Sequence, residues 1–166
     1  MNSTVLGLIA FKLGWFALVL WPLWSQWFVL AALMVGIFKL SAAQRISWLI
    51  LVGSGIGLDV LLLQTGWVNA TSQFGFPLWL AVLWGWFVWA WLSLFQPLLV
   101  KPWQILLFCS IGGPLAYQGG AMLSDAMQVS GQLFFLGVHA VAWLIWGAIT
   151  LWLQQWQNRQ RVDYVN

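Results

Sequence analysis

Residues 46–64, ISWLILVGSGIGLDVLLLQ, form a continuous apolar stretch in which Asp59 is the one charged residue. A helix of this length rises by about 28 Å, which is close to the thickness of the hydrocarbon core of a bilayer. A helix on the surface of a soluble protein presents polar side chains on one face, and this stretch has no such face. It therefore predicts a transmembrane helix.

The rest of the chain has the same character. It contains 166 residues, of which 63% are hydrophobic and 5% are charged, and it has no glutamate. A soluble domain carries about 25% charged residues to cover its surface. The composition therefore predicts an all-α fold, a polytopic transmembrane helical bundle, and excludes a soluble domain. We assign residues 1–156 to one transmembrane domain and residues 157–166 to a short polar tail.

Prolines and short polar segments divide the chain into about six predicted spans. The spans are 4–21, 23–40, 46–64, 77–96, 103–120 and 132–156. The first two are close to the lower limit of about 17 residues for a span, and Pro22 alone separates them. The alternative for this hairpin is one full crossing followed by a re-entrant segment.

The basic residues predict the orientation of the bundle. In the six-span arrangement Lys12 lies inside the first span, and the other five lysines and arginines lie on one side: Lys39, Arg45, Lys101, Arg159 and Arg161. Loops rich in lysine and arginine remain in the cytoplasm. We therefore expect both termini to be cytoplasmic.

Ionisable side chains inside spans are candidate functional residues, because each costs about 2.5–3.5 kcal/mol at the bilayer centre. From the helical rise, Asp59, His139, Tyr117 and Gln118 lie at similar depths in the outer leaflet, and Lys12 lies about 13 Å inside its span. These five residues form the predicted polar site. The structural alternatives are a simple Lys12–Asp59 ion pair and a hydrogen-bonded packing role for His139.

Small residues and one proline predict helix packing or a kink in the third and fifth spans. These residues are Gly53, Gly57, Gly112, Gly113, Pro114 and Gly120. Small residues four positions apart let helix backbones approach closely, and a proline removes one backbone hydrogen bond. The alternatives are that glycine is simply common in membrane helices, and that the kink serves packing alone.

Three tryptophans of the fourth span, Trp84, Trp86 and Trp89, lie too deep to anchor the helix at the membrane surface. They either fill the core of the bundle or line an apolar cavity for an acyl chain or isoprenoid. Core filling is favoured, because aromatic stripes on helices usually pack.

Known reaction and cofactor motifs are missing from the sequence. One cysteine, Cys109, and one histidine do not suffice for a multi-residue metal site, and no glycine-rich phosphate loop with its lysine is present. The lysines and arginines form no stripe that would bind nucleic acid. We therefore predict no catalytic residue, no metal, no cofactor and no nucleic-acid partner, and an enzyme is the less favoured class.

Several runs of residues across the chain carry a family resemblance. They are Leu13-Gly14-Trp15-Phe16, Gly57-Leu58-Asp59 with Leu61, Leu62 and Gly66, Phe76-Pro77-Leu78-Trp79 with Trp84, and Gly112-Gly113-Pro114-Leu115-Ala116-Tyr117 with Gly119 and Gly120. Together they resemble domain-of-unknown-function family 2878 over about residues 5–155. The family pattern has a neutral amide where Lys12 stands, so the resemblance does not support an obligatory Lys12–Asp59 pair.

The resemblance implies a small multi-spanning inner-membrane protein of Gram-negative bacteria, encoded near lipid-modifying methyltransferases. It favours membrane lipids as partners, and a lipid-modifying enzyme or another membrane protein as a further partner. Our first hypothesis is a non-catalytic protein that binds, moves or supports the modification of a lipid-like molecule. The alternatives are an intramembrane enzyme that uses Asp59 or His139 on a lipid, and a structural assembly subunit of a membrane complex.

Overall fold

A computed structural model describes the backbone of residues 3–72 and 75–163. The described backbone contains six α-helices: α1 (Ser3–Leu20), α2 (Pro22–Phe38), α3 (Ala42–Gln64), α4 (Leu78–Ala90), α5 (Pro102–Leu123) and α6 (Gln132–Asp163). A π-helical segment, Trp91–Phe95, continues α4 directly. The all-helical fold class is confirmed. The predicted tail is helical up to Asp163, and residues 164–166 and the side chain of Arg161 lie outside the described part.

The sequence around residue 41 explains how α2 ends and α3 begins. The Ser41 hydroxyl accepts a hydrogen bond from the backbone N–H of Gln44, and the Gln44 side chain accepts one from the backbone N–H of Ser41. This reciprocal capping box satisfies amides that a helix start leaves unpaired. Arg45 donates to the carbonyl oxygens of Phe38 and Leu40 at 2.9 and 3.0 Å. The last carbonyls of α2 are thereby bound to the first turn of α3.

A short antiparallel sheet joins the C-terminal ends of α3 and α5. Its strands are β1 (Val68–Ala70) and β2 (Met127–Val129), with Asn69 opposite Gln128. Both strands lie in segments that the sequence predicts only as polar loops. Trp79, at the start of α4, donates its Nε1–H to the carbonyl of Thr71 at 3.1 Å. The start of α4 is therefore attached to the same end of the bundle.

Helix α1 runs antiparallel along α4 and the π-helical segment. Gly7, in the first half of α1, lies against Leu94, and Gly14, in its second half, lies against Trp86. The Nε1–H of Trp86 donates to the carbonyl of Phe11 at 3.1 Å. Although α1 has only 18 residues, it therefore extends beside most of the length of α4 and the π-helical segment.

Four helical segments in the described part of the chain are long and apolar enough to cross a membrane: Ala42–Gln64, Leu78–Phe95, Pro102–Leu123 and Phe134–Arg159. The apolar parts of α1 and α2 are shorter. Helices of this length and composition are those of a membrane protein. The six crossings stay a prediction, since α1 and α2 are near the lower length limit.

A sandwich of two indoles between two glycines crosses four helices. Trp84 of α4 stacks on Trp143 of α6 with ring centroids 5.1 Å apart. Trp84 also lies against Gly55 of α3, and Trp143 lies against Gly113 of α5. A Cβ atom at either glycine would overlap the ring beside it. The glycines therefore allow the indoles to pack directly against the helix backbones.

A second sandwich has the same design on the other side of α4. Trp86 and Trp89 stack at 4.8 Å between centroids. Trp86 lies against Gly14 of α1, and Trp89 lies against Gly36 of α2. Both indoles fill space between helices, which is the role that the aromatic pattern favours.

The packing predicted for Gly53 and Gly57 is wrong within this chain. Both residues are exposed, and no atom of the described residues lies within 4 Å of a Cβ built on either. The face of α3 that contacts the bundle carries Gly55 and Asp59 instead, and it meets α4. The position of a Cβ at Gly112 is also open, and Gly120 meets Met127 of β2. Helix α5 continues through Pro114, and a kink there stays a prediction.

Candidate functional site

The carboxylate of Asp59 joins three helices. Asp59 lies one turn after Gly55 on the inward face of α3, and it is 1% exposed. The indole N–H of Trp84 donates to its Oδ2 at 2.7 Å, and the hydroxyl of Tyr117 donates to its Oδ1. Both oxygens are therefore satisfied by neutral donors from α4 and α5, as buried polar groups require.

His139 packs against the ring of Tyr117, whose hydroxyl binds Asp59. It is 0% exposed, and its ring lies 4.5 Å from that of Phe135 and 4.4 Å from that of Tyr117. Neither ring nitrogen has a hydrogen-bond partner among the residues that the structure describes. His139 thus packs between aromatic rings, without the hydrogen bond expected of a structural histidine. Tyr117 touches both ionisable residues.

Lys12 and Gln118 stand apart from this cluster. The Lys12 ammonium lies 5.8 Å from the centre of the Trp15 ring, within the range of a cation–π contact. Within residues 3–72 and 75–163, no Lys12–Asp59 ion pair is formed. The side-chain oxygen of Gln118 is buried and has no partner in the described part of the chain. Of the five predicted site residues, the structure therefore brings together Asp59, Tyr117 and His139.

A cavity of about 630 Å³ lies between α1, α4 and α5. This volume falls in the range of about 300–1,000 Å³ that is usual for small-molecule sites. Its wall is mainly aliphatic and aromatic, and it includes Trp84, Tyr117 and Trp143. An apolar cavity of this kind accommodates an apolar ligand.

The cavity is elongated along the helix axes. On α5 its wall extends from Phe108 to Leu123, a rise of about 22 Å. One end is bordered by Phe95 and Phe108, and the other by Trp79 and Met127. The length exceeds the depth of one leaflet of hydrocarbon, which is about 15 Å. The cavity is therefore comparable in length to a lipid hydrocarbon chain.

The exposed residues of the wall lie at one gap between helices. They are Lys12 and Phe16 on α1, and Leu115, Ala116 and Leu123 on α5. The cavity therefore opens sideways between α1 and α5, toward whatever surrounds the bundle. In a membrane those surroundings are lipid chains.

Asp59 and His139 do not line this cavity, whereas Trp84 and Tyr117 do. Since the Asp59 carboxylate binds both wall residues, it fixes their positions from behind the wall. Tyr117 contacts both residues directly, through a hydrogen bond to Asp59 and through its ring to His139. The open space lies beside Tyr117 instead. The sequence gives no signal for Trp143, whose indole completes this wall.

Comparison with protein-family models gives a match over residues 4–150 to a family described as "Protein of unknown function (DUF2878)". The chain belongs to this family. The resemblance noted from the sequence is thereby confirmed. Comparisons with curated proteins and with solved structures give no match. The function is therefore argued from the site itself.

One run of residues that carries the family resemblance also forms part of the cavity wall. From residues 112–117 of this DUF2878 chain, the wall contains Gly112, Gly113, Leu115, Ala116 and Tyr117. Gly113 lies against Trp143, and Tyr117 binds Asp59. This run of α5 therefore connects the cavity to the buried polar cluster.

Proposed function

We propose that the protein binds one hydrocarbon chain of a lipid-like molecule in the cavity between α1, α4 and α5. The observation that carries this proposal is the elongated apolar cavity with its sideways opening. By holding a lipid there, the protein moves the lipid or presents it for modification. Asp59 has a positioning role, because it holds Trp84 and Tyr117 in the wall.

Physical chemistry favours a lipid chain as the occupant. An empty apolar space loses the van der Waals contacts that its wall atoms would otherwise make. Lipid chains are the apolar molecules present in excess around a membrane helix. A chain that enters between α1 and α5 restores these contacts, and the chain itself brings no polar group that needs a partner.

We place the protein in the bacterial inner membrane with six crossings and both termini in the cytoplasm. The amide of Gln157 in α6 donates to the Ser47 hydroxyl of α3 at 2.6 Å, which puts the end of α6 beside the start of α3. Lys39 and Arg45 lie at this same end of the bundle. The positive-inside rule supports a cytoplasmic position for it.

Filling the cavity should remove the lipid. Ala116 is exposed at the opening, and a phenylalanine there would occupy the space of the chain. We expect Ala116→Phe to lose most of the lipid that copurifies with the full-length protein, as measured by native mass spectrometry. The matched control is Ala148→Phe, since Ala148 is exposed on α6 and does not line the cavity. Equal lipid retention in the two variants would contradict the proposal.

A second candidate, an intramembrane enzyme, is favoured by the position of Tyr117. Its side chain lines the cavity, binds Asp59 and touches His139. A lipid in the cavity would meet Tyr117 first, and Asp59 and His139 would act only through it. In such an enzyme, Tyr117 would exchange a proton with the ligand.

The Tyr117→Phe variant distinguishes the two candidates. It keeps the aromatic ring and removes the donor to Asp59, so we expect a loss of about 1–3 kcal/mol in the free energy of unfolding. If the protein is a binder, lipid retention should persist. Turnover of a labelled lipid by the wild-type protein, abolished in Tyr117→Phe, would instead establish the enzyme.

A further inference from the structure

The cavity wall carries a cation. The Lys12 ammonium stands at the opening with the Trp15 ring as its neighbour. The Asp59 carboxylate, which binds two residues of the wall, accepts from Trp84 and Tyr117. Among the described residues, the cavity therefore offers a cation without a carboxylate to pair with it.

Lys12 lies part-way along the cavity. It follows Phe11, whose carbonyl accepts from Trp86, and on α4 and the π-helical segment the wall extends from Trp79 to Phe95. An anion held by Lys12 therefore has apolar wall beyond it in the direction of Phe95.

The depth of the Lys12 ammonium in the membrane favours the binding of an anion. It lies eight residues before the end of α1 at Leu20, a rise of about 12 Å. A lone ammonium at that depth is costly in a membrane, and pairing with an anion removes much of the cost. Charge-assisted hydrogen bonds to a carboxylate or phosphate are also stronger than those between neutral groups.

We propose that the lipid bound in this cavity has an anionic oxyacid head, a carboxylate or a phosphate, that is held by Lys12. This inference rests on the proposed function. The chain of the lipid extends from Lys12 along the apolar wall toward Phe95 and Phe108.

The test compares three probes with one chain length: palmitate, hexadecyl phosphate and methyl palmitate. Their binding to the full-length protein in nanodiscs is measured for the wild type, Lys12→Met and Lys12→Arg. We expect the wild type to bind at least one anionic probe about tenfold more tightly than the neutral ester, a factor that corresponds to about 1.4 kcal/mol. Lys12→Met should lose this preference, and Lys12→Arg should retain it.

The outcomes separate this inference from the proposed function. Equal binding of all three probes by the wild type would overturn the anionic head and leave the lipid-chain site intact. A preference that persists in Lys12→Met would likewise remove Lys12 from the site. Failure of all three probes to bind the wild type would overturn both proposals. The difference between palmitate and hexadecyl phosphate identifies which oxyacid the site prefers.

Discussion

Replacement of Asp59 by alanine is expected to lower the free energy of unfolding by about 2–6 kcal/mol, because each of two buried donors left unpaired costs about 1–3 kcal/mol. These donors are the indole N–H of Trp84 and the hydroxyl of Tyr117. The variant should also lose bound lipid, since both side chains belong to the cavity wall. Unfolding by denaturant in detergent micelles measures the first effect, and native mass spectrometry measures the second.

Two further variants make this prediction specific to the buried carboxylate. Asp125→Ala removes an exposed loop carboxylate and should change the stability by less than about 0.5 kcal/mol. Asp59→Asn should be intermediate, because the amide oxygen still accepts from one donor while its NH₂ group faces the other. A silent Asp59→Asn variant would support the assembly role. Equal stabilities of Asp59→Ala and Asp125→Ala would contradict the account of the network.

Replacement of Gly55 by alanine is the second change with a large expected effect. A Cβ at this position would overlap the ring of Trp84. The ring has little freedom to move away, because Asp59 binds its nitrogen and Trp143 stacks on its other face. Overpacking of this kind costs about 1–3 kcal/mol, so we expect that loss in the free energy of unfolding.

Gly53→Ala is the matched control on the same helix. Gly53 lies two residues away and is exposed, with open space around its Cβ position in the described structure. Alanine is favoured over glycine in a helix by about 0.5–1 kcal/mol, so this variant should be as stable as the wild type or slightly more stable. If Gly53→Ala lowered the free energy of unfolding more than Gly55→Ala, this would contradict the orientation of α3 in the structure.

The helices themselves follow directly from the sequence. The apolar length of residues 46–64 and the low charge of the chain predict membrane helices, and Pro22 and Ser41 lie where α2 and α3 begin. The helical rise also predicts the common depth of Asp59, Tyr117 and His139. Depth depends only on position along each helix, which is why it could be calculated before any packing was known.

It was harder to predict which face of each helix packs against the bundle. In water the buried face of a helix is apolar and the exposed face is polar, so the pattern distinguishes them. In a membrane both faces are apolar, so the spacing of small residues alone does not show whether Gly53 or Gly55 packs. The contacts of their neighbours decide which one packs, and this is why the prediction that Gly53 and Gly57 pack was wrong for contacts within the described chain.

The position of the cavity and the short sheet could also not be predicted from the sequence. Strands β1 and β2 have three residues each, too few for a period of two to be visible. A cavity is space that side chains leave open, and apolar residues such as Leu83 and Phe108 carry the same signal whether they fill or line it. Trp84 illustrates this, because it both packs on Gly55 and lines the cavity.

The most direct measurement is photo-cross-linking of the full-length protein in nanodiscs with a fatty acid that carries a diazirine near its chain end. The lipid-chain site predicts that the main adducts, mapped by mass spectrometry, lie on wall residues such as Leu83, Phe87 and Phe108. Adducts on outward-facing residues such as Leu49 and Leu61 should be weaker. The Ala116→Phe variant should lose the wall adducts and keep those on the outward-facing residues. Adducts confined to the outward faces would show that no chain enters the cavity.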